Sequence, residues 1–330
     1  MRILVAGGSG YIGSHVARAL VADGHSVALL DRQGRDAAAA AIADAAPSQH
    51  DHPVVTRHRL DLRAPDAPRV LEQVLRAERV DAVVHLAGSK DRSAAAARPL
   101  RHIDDHLRAT SSLLAAMHSA GVSRLVHSST AAVYGAADGA LDEHALVAPT
   151  GPYGHAALAA EWLVRAQSRA TGLVSVVLRH FNVLGAAHPA LVDDGGLTIV
   201  PMVLGELSAG RAPRIHGTDY PTPDGTCIRD VVHADDVADA HRKALEAMES
   251  GVELSGVYNV GTGVGASVRQ LVDGVRARFA GAPAAIELPR REGDAAVVVA
   301  DITRISAELS WQPRLTLDDM LDSAVGPVLT

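Results

Sequence analysis

Gly7-Gly8-Ser9-Gly10-Tyr11-Ile12-Gly13 is the stretch on which the fold turns. Before it stands the apolar run Ile3-Leu4-Val5-Ala6, and after it a helical pattern of Ile12, Val16 and Leu20. A second apolar run, Val27-Ala28-Leu29-Leu30, ends in Asp31, eighteen residues past Gly13. Strand, glycine turn, helix, strand and acid is the order in which a dinucleotide is held. Gly7, Gly10 and Gly13 let the backbone turn tightly and approach a pyrophosphate, and the helix opening at Tyr11 and Ile12 points its N-terminus at that charge. Asp31 is placed to accept hydrogen bonds from the adenosine ribose. A carboxylate there favours the free 2′-hydroxyl of NAD, whereas the adjacent Arg32 suits the 2′-phosphate of NADP. The expected cofactor is NAD.

Outward from this turn, strand-like runs alternate with helical patterns through the first half, which implies a parallel sheet with helices on both faces. An alanine-rich helix is expected over Ala37 to Ala46, then Val54-Val55 lead to Asp61-Leu62. Residues 66–78 read as a helix, Val80 to Leu86 as a fourth strand and 100–120 as a long helix. A fifth strand covers Ser123 to Ser128, a helix runs from about Tyr153 to Arg169, and a sixth strand covers Leu173 to Leu178. Beyond Asn182 the alternation fails and Pro and Gly become frequent. The fold class is therefore α/β: a Rossmann-type doubly wound parallel sheet in residues 1–182 and a second, smaller α/β lobe in 183–330. Asp230-Val231-Val232-His233 and Tyr258-Asn259-Val260-Gly261 are expected to return to the first lobe's sheet, near 226–262.

Composition bounds the partners. The chain has 330 residues, 48% of them apolar, enough for a substantial core. Its apolar runs are too short for a bilayer, and Met1 to Ala6 runs straight into the glycine turn without a signal-peptide cleavage region. Cys227 is the only cysteine, which excludes an intrachain disulfide and fits a cytoplasmic setting. A net charge of −7 offers nucleic acid no general attraction. The 17 histidines form no Cys/His/carboxylate cluster at metal-ligand spacing, and His50 and His52 read as solvated loop residues. No metal is expected. Lys90 and Lys243 are the only lysines, beside abundant arginine.

Ligands of an open α/β sheet lie beyond the carboxyl ends of the strands. Asp61-Leu62 stands at such an end and suits an adenine ring. His85-Leu86-Ala87-Gly88 ends the next strand in small residues, where backbone passes close to a ligand. Ser128-Ser129-Thr130 ends the fifth strand, and Tyr153 begins the following helix. Thr130 and Tyr153 should converge beside the nicotinamide. The phenol then serves as a general base for a sugar hydroxyl while hydride leaves, and Thr130 orients the same oxygen.

The glycine turn with Ser14-His15, Ser128-Ser129-Thr130-Ala131-Ala132-Val133-Tyr134-Gly135 and Pro152-Tyr153-Gly154 resemble the extended short-chain dehydrogenase/reductase family. Asp219-Tyr220-Pro221-Thr222-Pro223-Asp224-Gly225-Thr226, Arg229-Asp230 and Arg290-Arg291-Glu292-Gly293-Asp294 are similar to its UDP-glucose 4-epimerase branch, and the likeness spans nearly the whole chain. The resemblance implies a tightly bound NAD that oxidises C4 of a UDP-hexose, after which the keto sugar rotates and hydride returns to its other face. It implies that Arg229 and Arg291 grip the diphosphate. Asp294 then holds the uridine ribose, and Asn182 contacts the phosphate–sugar region. Lys90 matches a position that contacts NAD and substrate. Ser128 and His180 belong to the same cofactor surround. A homodimer through the helices near 100–120 and 153–170 is implied too.

The chain departs from this family at a central point. The family pairs its tyrosine with a lysine one helical turn on, and here that position is Ala157. A nearby positive charge moves a phenol from about 10 by roughly 1–3 units, so its loss should slow proton abstraction by about ten- to a thousandfold. His180 and Lys90 are the candidate compensating cations. Asp105 and Thr198 stand where the family has asparagines, His216 where an aromatic ring stacks near uracil, and Val298 where a tyrosine lies near the base. The leading expectation is an NAD-dependent nucleotide-sugar 4-epimerase. A related short-chain enzyme on another sugar nucleotide or nucleoside, or a non-catalytic NAD-binding protein, stays open.

Overall fold

The computed structural model describes residues 1–47, 53–252, 254, 256–291 and 293–329; His50, His52 and Glu292 lie outside them. Its main sheet has seven parallel strands, in the order Val257–Val260, Val174–His180, Arg124–Thr130, Ala82–His85, Arg2–Ala6, Ser26–Asp31 and Val55–Arg59. Ile3, Leu4, Val5 and Ala6 are all fully buried, because helices cover both faces and leave no solvent side for polar residues. One core joins Val5, Val84, Val126 and Leu178 to Val16 and Leu20 of the helix Tyr11–Ala22 and Val237 of the helix Ala234–Ser250. The other joins Leu4, Val83 and Leu125 to Leu71 of Ala67–Ala77, Leu113 of Pro99–Ala120 and Val164 of Pro152–Thr171. The last two helices start with proline, whose missing N–H costs nothing there, and stop at Gly121 and Gly172 in the left-handed conformation.

One expected strand lies elsewhere. Val257–Val260 joins the main sheet beside Val174–His180, but Ile228–His233 does not. It pairs in parallel with Asn182–Leu184 and Val297–Ala300 and antiparallel with Gly265–Ser267, in a second sheet that also takes Gly139–Leu141. Its two sides explain the difference: Val232 packs into the first core, whereas Val231 packs with Leu184, Val200 and Ile215 in the core of the second lobe. An apolar strand buried on both faces carries no mark of which sheet it belongs to. The chain also returns late to the first core, where Trp311 is fully buried and donates its indole N–H to the Asp236 carbonyl at 3.0 Å.

Candidate active site

The glycine turn is built to exclude side chains. Gly7 has φ +85°, and a Cβ there would stand 2.8 Å from the backbone nitrogen of Ala87; at Gly13 it would stand 2.1 Å from the Gly7 oxygen. The first and fourth strand ends therefore touch backbone to backbone, bringing Leu86, Ala87 and Gly88 to the turn. The helix Tyr11–Ala22 begins at Gly10 with no side-chain cap and no acid in its first turn. Its first N–H groups are left for an anionic ligand. Asp31 accepts from the N–H of Ser9 at 3.2 Å and of Gln33 at 3.1 Å, so its carboxylate is held at the edge of the turn. Arg32 is exposed beside it. These residues fit a dinucleotide.

Arg63 is an addition that sequence reading missed. It donates to both carboxylate oxygens of Asp61, at 2.8 and 2.6 Å, and to Asp105 at 2.8 Å. The guanidinium draws the Asp61 carboxyl down to about 2. Asp105, where the family has a neutral amide, is thus an ion-paired carboxylate. Leu62 buries its side chain in the core, which leaves its backbone as the group it can offer a ligand.

A segment of the second lobe crosses this end of the site. Tyr11 donates its hydroxyl to the Gly185 carbonyl, and His15 accepts from the N–H of Ala187 at 3.1 Å. Lys90 pairs with Asp193 at 2.8 Å and lies 5.3 Å from the centre of the Tyr11 ring. Thr198 donates to the same Asp193 at 2.9 Å, and Arg35 pairs with Asp194 at 2.7 Å. Lys90 is therefore neutralised by its own partner and does not act as a free cation toward Tyr153.

At the reacting end, Thr130 closes its strand and its hydroxyl accepts from the N–H of Ala132 at 3.2 Å. Tyr153, the second residue of the helix Pro152–Thr171, stands beside that hydroxyl. Burial raises the phenol pKa, while the Thr130 hydroxyl and the charge of Arg92 draw it back. The ring of His102 lies 6.2 Å away, centre to centre, and stacks in turn on His106. Behind Thr130, the buried Arg179 forks onto Glu161 at 3.0 and 2.7 Å and donates to Tyr134, while Ser129 donates to Glu161 at 2.5 Å. This network holds the strand end that carries the hydroxyl, and no motif announced it.

Neither the lysine position nor His180 supplies a cation. Ala157 is 4% exposed and packs among Val133, Tyr134, Leu158 and Phe181. His180 is 5% exposed, 5.2 Å from His241, and burial with that neighbour holds its pKa far below 6.5. It is a neutral ring at neutral pH, contrary to the compensation expected of it, because burial strips its solvent and the neighbouring His241 adds to the effect. Ser128 likewise turns to the helix Ala234–Ser250, with its hydroxyl 2.7 Å from Nε2 of His241.

In the second lobe, Arg229 and Asp294 approach to 3.8 Å, and the charges of Arg291 and Asp294 both act on His216. Burial first, then Arg291, lowers the His216 pKa. Asn182 is exposed and donates to the Asp230 carbonyl at 2.9 Å. Val298 sits opposite Arg229 in the strand register. Of the side chains that the resemblance implied for a nucleotide, Arg229, Arg291, Asp294 and His216 thus lie within electrostatic reach of one another, whereas Thr198 lies apart, bonded to Asp193. Among the described residues, no group of three or more His, Cys, Asp or Glu is arranged to hold a metal ion, and no helix is long and apolar enough to cross a membrane.

Residues 3–261 match the NAD dependent epimerase/dehydratase family. The chain is 38% identical to a UDP-glucose 4-epimerase of Azospirillum brasilense, over all of this chain and 91% of that protein. It is 37% identical to one of Streptomyces lividans, over 94% of this chain and 91% of that one. Its fold is similar to a UDP-glucose 4-epimerase of Stenotrophomonas maltophila solved with bound NAD and formylated UDP-arabinopyranose (TM-score 0.90, 32% identity, 99% of this chain and 97% of that one). It is also similar to one of Bifidobacterium longum in complex with NAD+ and UDP (TM-score 0.85, 29% identity, 100% and 98%). The chain belongs to the NAD dependent epimerase/dehydratase family, in its UDP-glucose 4-epimerase branch, as its glycine turn and C-terminal motifs implied.

Proposed function

We propose that this protein is an NAD-dependent 4-epimerase of UDP-hexoses. The observation that carries the reading is the meeting of the Thr130 hydroxyl with the Tyr153 phenol, in a chain whose glycine turn leaves room and bare N–H groups for a dinucleotide. A bound NAD, held by the residues of the glycine turn and Asp31, would supply the acceptor and later the donor of a hydride at C4 of the sugar. Tyr153 removes the proton of the C4 hydroxyl and later gives it back. Thr130 hydrogen-bonds the same oxygen and fixes its direction. Arg229 and Arg291 hold the diphosphate, with Asp294, Asn182, Thr198 and His216 around the nucleotide and sugar. Asp31 and the backbone from Gly7 to Gly13 hold the dinucleotide, with Leu62, Leu86, Ala87 and Gly88 lining its path.

Burial of the phenol leaves only a small fraction ionised at neutral pH, so turnover is slow relative to an enzyme with a lysine at this turn. Val298 and His216 favour a shifted preference for the base or sugar as the second reading. A homodimer accords with Trp162 and Leu100, which are 59% and 83% exposed on the two helices of the implied seam. A cytoplasmic setting accords with the single cysteine, Cys227, which is buried. Denatured protein should release NAD rather than NADP. UDP-galactose added to the native protein should give UDP-glucose, followed by the anomeric proton in NMR. Release of no nucleotide together with no conversion refutes the proposal, whereas NAD with conversion of a different UDP-sugar selects the second reading.

A further inference from the structure

We infer that Asp193 fastens a strap of the second lobe, residues 185–198, across the dinucleotide turn and so governs how fast NAD leaves. This rests on NAD lying along that turn. The strap departs from the strand Asn182–Leu184 at Gly185, which has φ +82° and where a Cβ would stand 2.3 Å from the ring of His233. Its path follows the order of the main sheet. The strands Ala82–His85, Arg2–Ala6 and Ser26–Asp31 are consecutive neighbours, so the glycine turn after the middle one lies between the loops that follow the other two. The strap is fastened at all three places. Lys90, from the loop after Ala82–His85, pairs with Asp193 at 2.8 Å. Arg35, from the loop after Ser26–Asp31, pairs with Asp194 at 2.7 Å. In the middle, the Tyr11 hydroxyl donates to the Gly185 carbonyl, and His15 accepts from the N–H of Ala187 at 3.1 Å. The buried Leu191 seats the strap against Ala38 and Ala41 of the helix Asp36–Ala43. Ligands of such a sheet lie beyond the carboxyl ends of its strands, which is where these fastenings stand.

Asp193 carries most of this closure. Its side chain is 9% exposed; one oxygen accepts from Lys90 and from the N–H of Gly195 at 3.2 Å, the other from the Thr198 hydroxyl at 2.9 Å. Charge-assisted bonds sheltered in this way are stronger than those open to water. Gly195 packs close to the pair: a Cβ there would stand 3.2 Å from Oδ1 of Asp193 and 3.6 Å from Cε of Lys90. Asp194, by contrast, has a side chain 67% exposed, so solvent weakens its pair with Arg35. Each acid of the strap is matched by a cation of the first lobe. The strap therefore closes over an anionic pyrophosphate without facing it with uncompensated carboxylates. Asp193 acts through Lys90 as a positioning residue, and the lysine ammonium also lies 5.3 Å from the centre of the Tyr11 ring, in the glycine turn itself.

The test is the exchange of bound radiolabelled NAD against unlabelled NAD, with no sugar present. Asp193→Asn keeps the size of the side chain and removes its charge; it should speed release about tenfold. Asp194→Asn should speed it only about two- to fourfold, the range of an exposed pair. Arg35→Asp combined with Asp194→Arg exchanges the partners of that pair and should bring the rate back toward the parent's. Val275→Ala, which loosens the second lobe's core in the helix Val268–Ala277, should leave the rate unmoved. Release from Asp193→Asn at the parent's rate overturns the inference. So does equally fast release from Val275→Ala, which makes loss of stability a sufficient cause. Protein that holds no labelled NAD refutes the cofactor and the strap together. Protein that holds NAD and converts no UDP-hexose refutes only the functional proposal, while the exchange still reads the effect of Asp193.

Discussion

Taken from about pH 7.5 to pH 5.5, the protein is expected to lose a large part of its folding free energy, through histidines that take no part in catalysis. His15, His85, His127, His180 and His241 are all 5% exposed or less. Burial holds His15 and His241 at about 4 and His85 at about 3, and puts His127 and His180 well below 6.5. In the unfolded chain each binds a proton near pH 6.5; in the folded chain none does until the solution is far more acid. Their contribution is therefore complete above about pH 7 and shrinks as pH falls below 6.5. Each unit of pH in that window removes about 1.4 kcal/mol per histidine, or roughly 7 kcal/mol for five of them at pH 5.5. That is comparable with a typical total of about 5–15 kcal/mol.

The hydrogen bonding agrees with neutral rings. Nδ1 of His241 donates to the Val237 carbonyl at 2.8 Å, which leaves Nε2 to accept from Ser128. His15 repeats the pattern between the Tyr11 carbonyl and the N–H of Ala187. His127 finds no partner for either ring nitrogen among the described residues, so a proton added there has nothing to meet it. Denaturant midpoints at the two pH values check this. Equal midpoints contradict it.

The second large effect is chemical. Tyr153→Phe removes a buried hydroxyl whose neighbour, Thr130, keeps its bond to the Ala132 N–H. The fold and the glycine turn are untouched, so bound NAD should stay at the parent level. Loss of the proton acceptor should lower epimerisation by about 10²- to 10⁴-fold, the range for a general base. Initial rates with UDP-galactose and the NAD content of the purified variant separate the two roles. A variant that loses its NAD makes Tyr153 a cofactor contact first, and one that keeps its rate is not missing a base.

What could be read from sequence divides along physical lines. The turn at Gly7 to Gly13 is legible because its requirement lies in the backbone, where only glycine avoids the contacts of 2.8 and 2.1 Å that a Cβ would make. The ends of strands and the helix at Pro152 are legible for the same local reasons. The placement of Ile228–His233 is not, since its apolar residues serve two cores equally. Arg63 stood two residues from Asp61, but its bridge to Asp105 joins positions forty-two apart, and only the folded chain brings them together. Ala157 was visible as a missing cation. That His180 cannot replace it depends on its burial in the folded chain. The buried histidines follow no period a sequence can display, because separate strands and helices contribute them singly.

The proposed reaction requires that hydrogen leave C4 as hydride and be handed back within one site. UDP-galactose carrying deuterium at C4, incubated with the protein in ordinary water and followed by NMR, decides this directly. UDP-glucose that still carries the deuterium at C4 is the predicted product. Product whose C4 position has exchanged with solvent, or deuterated substrate left untouched, contradicts transient oxidation at this site.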